Sequence, residues 1–348
     1  MQKFAPKLVR AGEFRYLCGL QMDRYSAIRR CVQTDLERYE CLFCEVLSTH
    51  VPLAEDVIRY LLPRRGKQLR PLMTLLAARV AGTGATDATL QGAVALELVH
   101  DASLIHDDVI DSSDERRGAR TVNRLWGNRV AVLVGDFLLS RSLLCIGRTG
   151  SEALMGILAR VVARLTEGEL AQLSAVRSHL RSEEAYLDVI AGKTASLFGA
   201  CMQVGALTAG AAPDDAERLR RVGELMGLVF QIRDDVFDYY PTTAALGKPT
   251  GHDIAEGKVT LPLLHALSTA PEADAAPMRA LLEAPEPPDS EAVARLVAFA
   301  KAAGGIDYAH ARMERLAAEA RRELEAFPAN EARSALADLI GYLIERDH

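Results

Sequence analysis

The stretch SLIHDDVIDSSDERRG, residues 103–118, sets four aspartates and a glutamate between Asp107 and Glu115, then adds Arg116, Arg117 and Gly118. A second stretch, QIRDDVFDYY at 231–240, repeats the Asp-Asp-x-x-Asp pattern 127 residues further on. On a helix, residues four apart lie on one face one turn apart. Asp107 and Asp111 therefore form one claw and Asp234 and Asp238 another, with Asp108 and Asp235 turned about 100° away. Like charges at this spacing repel, so the pattern asks for a cation. Mg²⁺ suits it: the ion keeps several waters and binds through one or two carboxylates together with substrate phosphates. Two claws facing across a bundle would hold a cluster of Mg²⁺ ions with a diphosphate between them. The plain alternative is a pair of solvated acidic faces. Apolar neighbours (Leu104, Ile105, Val109 and Ile110 at the first, Val236 and Phe237 at the second) do not suit free solvation.

A metal-bound diphosphate also needs cations. Arg116 and Arg117 stand beside the first claw, and further off are Lys193-Thr194, Lys248 in LGKP and Lys258 in EGKV. Upstream, RRGKQLRP (64–71) places Lys67 and Arg70 just before Pro71, a residue suited to opening a helix. Helix N-termini attract phosphate, and arginine adds bidentate contacts. Taken singly, each would read as a solvated surface charge; the two claws give the set its meaning.

The elements that must position these residues are helical. Apolar residues recur at helical spacing at Leu72, Leu75, Leu76 and Val80, at Leu96, Val99 and Leu104, at Val161, Val162 and Leu165, and at Leu225, Leu228, Val229 and Ile232. Strand alternation is nearly absent, so the chain predicts an all-α bundle of ten or more helices. Residues 31–348 read as one domain, preceded by a loosely attached extension over 1–30 that carries seven basic residues against two acids. The stretches 240–257 and 270–290 read as irregular. The uncharged stretch 194–213 is rich in small residues and holds Gln203, which predicts a buried central helix that leaves room for something, and not a membrane span.

The 348 residues are 49% hydrophobic and 25% charged, enough for a substantial core. A net charge of −6, with no basic stripe among aromatics, argues against nucleic acid as a partner. Six cysteines are scattered, and the Cys41/Cys44 pair has no second pair at zinc spacing. They read as reduced thiols of a cytoplasmic protein.

Taken together, GKQLRP, HDASLIHDDVIDSSDERRG, GKTASL, GLVFQIRDDVFDY, LGKPTGHDIAEGKVTLPLL and the terminal ERDH resemble the trans-isoprenyl diphosphate synthases, the polyprenyl synthetase family, from about residue 50 to the C-terminus. The resemblance implies an all-α homodimer, each subunit built around a deep cavity. It implies Mg²⁺-dependent head-to-tail condensation of an allylic diphosphate with isopentenyl diphosphate, with three ions per active site. Asp107, Asp111 and Asp234 would be the main metal ligands, supported by Asp108, Asp235 and Asp238. Arg116, Lys193, Lys248 and Lys258 would hold the allylic diphosphate, and Lys67, Arg70, His100, Arg117 and Arg346 isopentenyl diphosphate. Thr194 and Gln231 would face the developing carbocation, and the released diphosphate would act as base. No role falls to His106. One departure stands out: the family commonly has Gly-Gly-Lys-Arg where this chain has Arg65-Gly66-Lys67-Gln68.

Ala102 and Ser103 lie one turn below Asp107, where short-chain members carry a bulky aromatic; both are small here. This points to a long product, of the octaprenyl class for a quinone, with geranylgeranyl or farnesyl diphosphate as the alternative. So insoluble a product suggests peripheral membrane contact for its delivery. A terpene cyclase would need no second diphosphate pocket, and a silent partner subunit would typically lack aspartates from its claws.

Overall fold

A computed structural model describes residues 24–178, 182–240, 250–284 and 287–346. The chain is built of α1 (Gln33–Leu47), α2 (Pro52–Leu61), α3 (Leu69–Ala81), α4 (Asp87–Ile110), α5 (Val122–Trp126), α6 (Asn128–Arg148) and α7 (Glu152–Ser178). These are followed by α8 (Glu183–Ile190), α9 (Ser196–Thr208), α10 (Pro213–Phe237), α11 (His252–Ala255), α12 (Leu261–Thr269), α13 (Glu272–Leu282), α14 (Ser290–Ala302), α15 (Gly305–Leu324) and α16 (Glu331–Glu345). Among the described residues the only strands are a two-residue pair, β1 (Glu115–Arg116) and β2 (Ala119–Arg120), antiparallel to each other.

The two longest site helices begin with strong start signals. At α4, Thr86 and Thr89 cap each other reciprocally, and the Thr89 hydroxyl also meets that of Thr208, 2.7 Å away at the end of α9. At α10, Pro213 sits in the first turn, with Asp214 and Asp215 where the helix dipole favours acids. Both helices end in an aspartate motif with no basic residue in the last turn, where the same dipole opposes negative charge.

The stretch 194–213 supplies the π turn described below and the buried helix α9, as its composition predicts. Its small residues serve close packing: a Cβ on Gly205 would overlap the Thr74 carbonyl of α3, and one on Gly92 of α4 would overlap Val204. Among the described residues, the helix with the length and composition of a membrane span is instead α6, with mean hydropathy 1.8 and 39% of its apolar window buried. Leu133, Leu143 and Leu144 are each more than half exposed on it.

Two expectations change. Within 270–290 the chain forms α13, which tolerates Pro277 and buries Ala275 and Leu282, so its Ala/Pro/acid composition does not make it a loop. Of the extension over 1–30, residues 1–23 lie outside the described residues, and residues 24–30 are helical and packed. Arg24 pairs with Glu345 at 2.6 Å, Tyr25 stacks on Tyr342 with ring centroids 5.1 Å apart, and Ile28 is buried in the core. In addition, α3 opens at Leu69 and takes Pro71 into its first turn.

Candidate active site

The first motif closes α4, with Asp111 as its C-cap. Asp108 turns inward, 5% exposed, and accepts a 2.8 Å bond from Arg116 Nε. The hairpin that delivers Arg116 turns through Arg117 (φ 53°) and Gly118 (φ 73°), and tight two-residue hairpins require positive φ at both central positions. The Arg117 guanidinium then lies flat against Gly66: a Cβ there would sit 2.6 Å from Nη1. Gly66 thus lets the RRGKQLRP loop dock on the hairpin. Asp107 is pushed up to about 6, first by burial and then by Glu169, against the pull of Lys193.

Lys193 and Thr194 sit on a π-helical turn, Ala191–Ala195, of the kind that recurs at functional sites. Gly168 of α7 approaches this turn closely: a Cβ there would lie 2.7 Å from Lys193 N and 3.1 Å from Gly192 C. One turn of chemistry follows from that approach. Lys193 Nζ reaches Glu169 Oε1 at 2.5 Å. Thr194 Oγ1 donates to Gln231 Oε1 (2.8 Å), Gln231 Nε2 donates to Asp235 Oδ1 (2.9 Å), and the Tyr186 hydroxyl donates to Asp235 Oδ2 (2.6 Å). Asp235 is 6% exposed and raised to about 8, by burial and by Asp253.

The rest of the second motif is also partnered. Arg346, 5% exposed and stacked 3.9 Å over Phe230, forms an ion pair with Asp234. Asp238 accepts from the backbone N–H groups of His252 and Asp253 (both 3.0 Å), so it caps α11. Lys258 bonds Glu256 at 2.7 Å; burial, which lowers its pKa, is outweighed by Glu256, Asp253 and Asp111. Lysines and motif carboxylates therefore act on one another: Lys193 on Asp107, Lys258 on Asp111 and Lys67 on Asp234. Lys248 lies outside the described residues.

The other basic group gathers between α3, α4 and the hairpin. Lys67 Nζ lies 5.5 Å from the Tyr342 ring centre and the Arg70 guanidinium 5.1 Å from that of Phe198. His100 is held well below its ordinary pKa by burial and then by Arg70, Arg117 and Arg116, so its ring is neutral. Arg65, the departure from the common pattern, turns aside: it pairs with Glu40 at 2.5 Å and stacks on Phe43.

Several expectations are refined by this geometry. Asp108, Asp235 and Asp238 have their oxygens engaged by protein donors, and Asp234 gives one oxygen to Arg346. Among the described residues no three metal-ligating side chains converge by themselves, as expected where Mg²⁺ is completed by substrate oxygens and water. Arg346 engages an aspartate and not the second basic group. Ala102 is fully buried, whereas Ser103 keeps surface and folds its hydroxyl onto the His100 carbonyl, 2.9 Å. His106 packs over Gly135 and meets the Val132 carbonyl at 3.1 Å. Glu97, Glu169 and Tyr186 lie outside every motif, and Asp101 and Asp253 lie within two of them with no role assigned there.

Paired aspartate-bearing helix ends, lysines shared between them and an all-α bundle define the class of enzymes that handle isoprenoid diphosphates, the isoprenoid synthase fold. The Polyprenyl synthetase family model matches residues 51–300, and the chain belongs to that family. It is 36% identical over 321 residues to the octaprenyl diphosphate synthase of Haemophilus influenzae, covering 92% of this chain and 97% of that one. Its fold matches a Caulobacter crescentus polyprenyl synthase complexed with calcium and isoprenyl diphosphate (TM-score 0.84, 35% identity, 93% and 98% of the two chains). It also matches a Bacteroides thetaiotaomicron geranylgeranyl pyrophosphate synthase (TM-score 0.80, 36% identity, 93% and 100%). The protein is a prenyltransferase with the head-to-tail chemistry of this family, which uses Mg²⁺ and joins isopentenyl diphosphate to an allylic primer.

Proposed function

We propose that this chain makes a long all-trans polyprenyl diphosphate, of the octaprenyl class for a quinone side chain. Its identity to an octaprenyl synthase and to a geranylgeranyl synthase is the same 36%, so resemblance alone does not choose. The observation that carries the reading is Ser103. One turn, about 6 Å, below Asp107, it is small and bonded back onto its own helix, so no bulk stands there to stop a growing tail.

In this reading Asp107, Asp111 and Asp234 hold the metal, while Asp108, Asp235 and Asp238 set the geometry of Arg116, Gln231 and α11. The donor set fits a cation: Asp107 is buried beside Glu169 and both motifs sit at the wrong end of a helix dipole. Mg²⁺, when bound there with the diphosphate, supplies positive charge for the departing group. Arg116, Lys193, Lys248 and Lys258 orient that diphosphate and stabilise charge on it. Thr194 commits its proton to Gln231, which leaves its oxygen lone pairs to face the carbocation. Lys67, Arg70 and Arg117 bind isopentenyl diphosphate. The neutral His100 ring serves there as a hydrogen-bonding group. The exposed apolar face of α6, Leu133 to Leu144, supports a homodimer. The chain works in the cytoplasm, with peripheral membrane contact delivering product.

The test is purified protein with Mg²⁺, labelled isopentenyl diphosphate and farnesyl diphosphate, followed by chromatography of the dephosphorylated products. A ladder ending near eight units is expected. Mainly farnesyl or geranylgeranyl product overturns the length; no extension from any primer favours a cyclase or a silent subunit.

A further inference from the structure

Beside the second basic group lie two acids that the reaction does not use, Glu97 buried and Asp101 partly so. Glu97 is a lone acid in the apolar run GAVALELV and only 4% exposed. Asp101 follows one turn on along the same face of α4. Arg65, Arg70 and Arg117 stand near them on three separate elements: the loop after α2, helix α3 and the hairpin. All three charges act on both carboxyls.

The bonding there is incomplete in a consistent way. Glu97 Oε2, Arg70 Nε, Arg65 Nη1 and the Tyr39 hydroxyl are all shut off from solvent, and each lacks a hydrogen-bond partner among the described residues. Tyr39 feels Glu97, Asp101 and Arg65, so the four atoms belong to one electrostatic cluster. Buried polar atoms are almost always paired, and bound water serves where protein does not. A pocket of about 100 Å³, whose lining includes Arg65, Asp101 and Arg117 together with Asp108 and Arg116 of the first motif, adjoins the cluster. At about 30 Å³ per water it has room for about three.

Two carboxylates beside a pocket for an anion need a reason. By simple Coulomb repulsion they weaken diphosphate binding. They would also offset the repulsion among the guanidiniums before substrate arrives, and guanidiniums fixed in advance lose less freedom on binding.

We propose that Glu97 and Asp101 are positioning residues that hold, directly or through bound water, the Arg70 and Arg117 guanidiniums in their binding geometry for isopentenyl diphosphate. This rests on the reading of Lys67, Arg70, His100 and Arg117 as that pocket. The two views of the acids differ in sign, so one measurement separates them. If Glu97 only opposes the substrate, Glu97→Gln lowers the KM for isopentenyl diphosphate. If it positions the arginines, the same change raises that KM tenfold or more, with kcat and the primer KM within about twofold. Asp101→Asn shifts the same parameter in the same direction, and provides the test should Glu97→Gln fold poorly. Arg70→Ala is the control for the underlying reading: an unchanged KM for isopentenyl diphosphate there overturns the pocket, whatever Glu97 does. With that control positive, an unchanged or lowered KM in Glu97→Gln overturns the positioning role, and equal loss in both KM values and kcat reduces Glu97 to a structural part of the core.

Discussion

Gly168→Ala asks how finely the π turn is placed. The added methyl would lie 2.7 Å from Lys193 N, about 0.7 Å inside the 3.4 Å at which ordinary contact begins, and 3.1 Å from Gly192 C. Both neighbours are backbone and cannot swing aside, so α7 and the turn must part by several tenths of an ångström. Overpacking of this kind costs about 1–3 kcal/mol, a Tm loss of a few degrees for a chain of this size. The effect on chemistry is expected to be larger. Lys193 and Thr194 ride on the displaced turn, and a misplacement approaching 1 Å can cost about 100-fold. The expected result is kcat down about 10- to 100-fold, with the KM for isopentenyl diphosphate nearly unchanged, because the second basic group is built on α3, α4 and the hairpin. Steady-state kinetics with both substrates varied, beside a thermal melt, read this out. Wild-type kcat in a folded Gly168→Ala protein would refute the dependence of Lys193 and Thr194 on this close approach.

Ser103→Phe sets an aromatic ring one turn below Asp107 and is expected to shorten the product while turnover stays measurable; an unchanged ladder shows that the tail takes another route. Metal-free protein is expected to lose stability to urea as pH rises from 5 to 8. Burial raises Asp107 and Asp253 to about 6 and Asp101 and Asp235 to about 8. A raised carboxyl contributes stability that is complete below its unfolded pKa and is lost as pH climbs through the folded value. Adding Mg²⁺ with pyrophosphate should restore stability most at the upper end, and a flat or rising metal-free profile contradicts the assignment. Leu133→Glu with Leu144→Glu, on residues 67% and 54% exposed on the same face of α6, should yield monomers by sedimentation; an intact dimer moves the interface elsewhere.

The aspartate motifs were legible because chemistry alone explains them: like charges at one-turn spacing between apolar residues make poor sense without a cation. Helical class was legible from periodicity for the same kind of reason. What escaped depends on tertiary contact. The π turn at 191–195 forms where Gly168 lets α7 press on it, and nothing in AGKTA announces the shift in hydrogen bonding. Arg65 reads as a cation lost to the site only once Glu40 and Phe43 are seen beside it. Glu97 left a usable signal, since an acid inside an unbroken apolar run cannot be solvated and must find a partner. The 270–290 stretch misled because Pro and Ala were weighed as loop composition, although proline in an early turn of an amphipathic helix is tolerated when its neighbours bury Ala275 and Leu282.

Each carboxylate of the two motifs faces the same difficulty, a negative charge at a helix C-terminus before any metal arrives, and the fold meets it in different ways. Asp108 takes Arg116, Asp235 takes Tyr186 and Gln231, and Asp238 takes the free N–H groups of α11. These bonds align other parts of the site, so losing one should misplace a neighbour more than remove a ligand. Asp234 is different. Its partner Arg346 is a single side chain at the end of the last helix, anchored by its own carbonyl to Arg233. Asp107 is different again, with Lys193, already shared with Glu169, and then Arg116, already bonded to Asp108, to oppose its burial. The carboxylates left least compensated by the protein are those facing the lysines, and the excess charge there is a demand for cations that the folded chain does not itself supply.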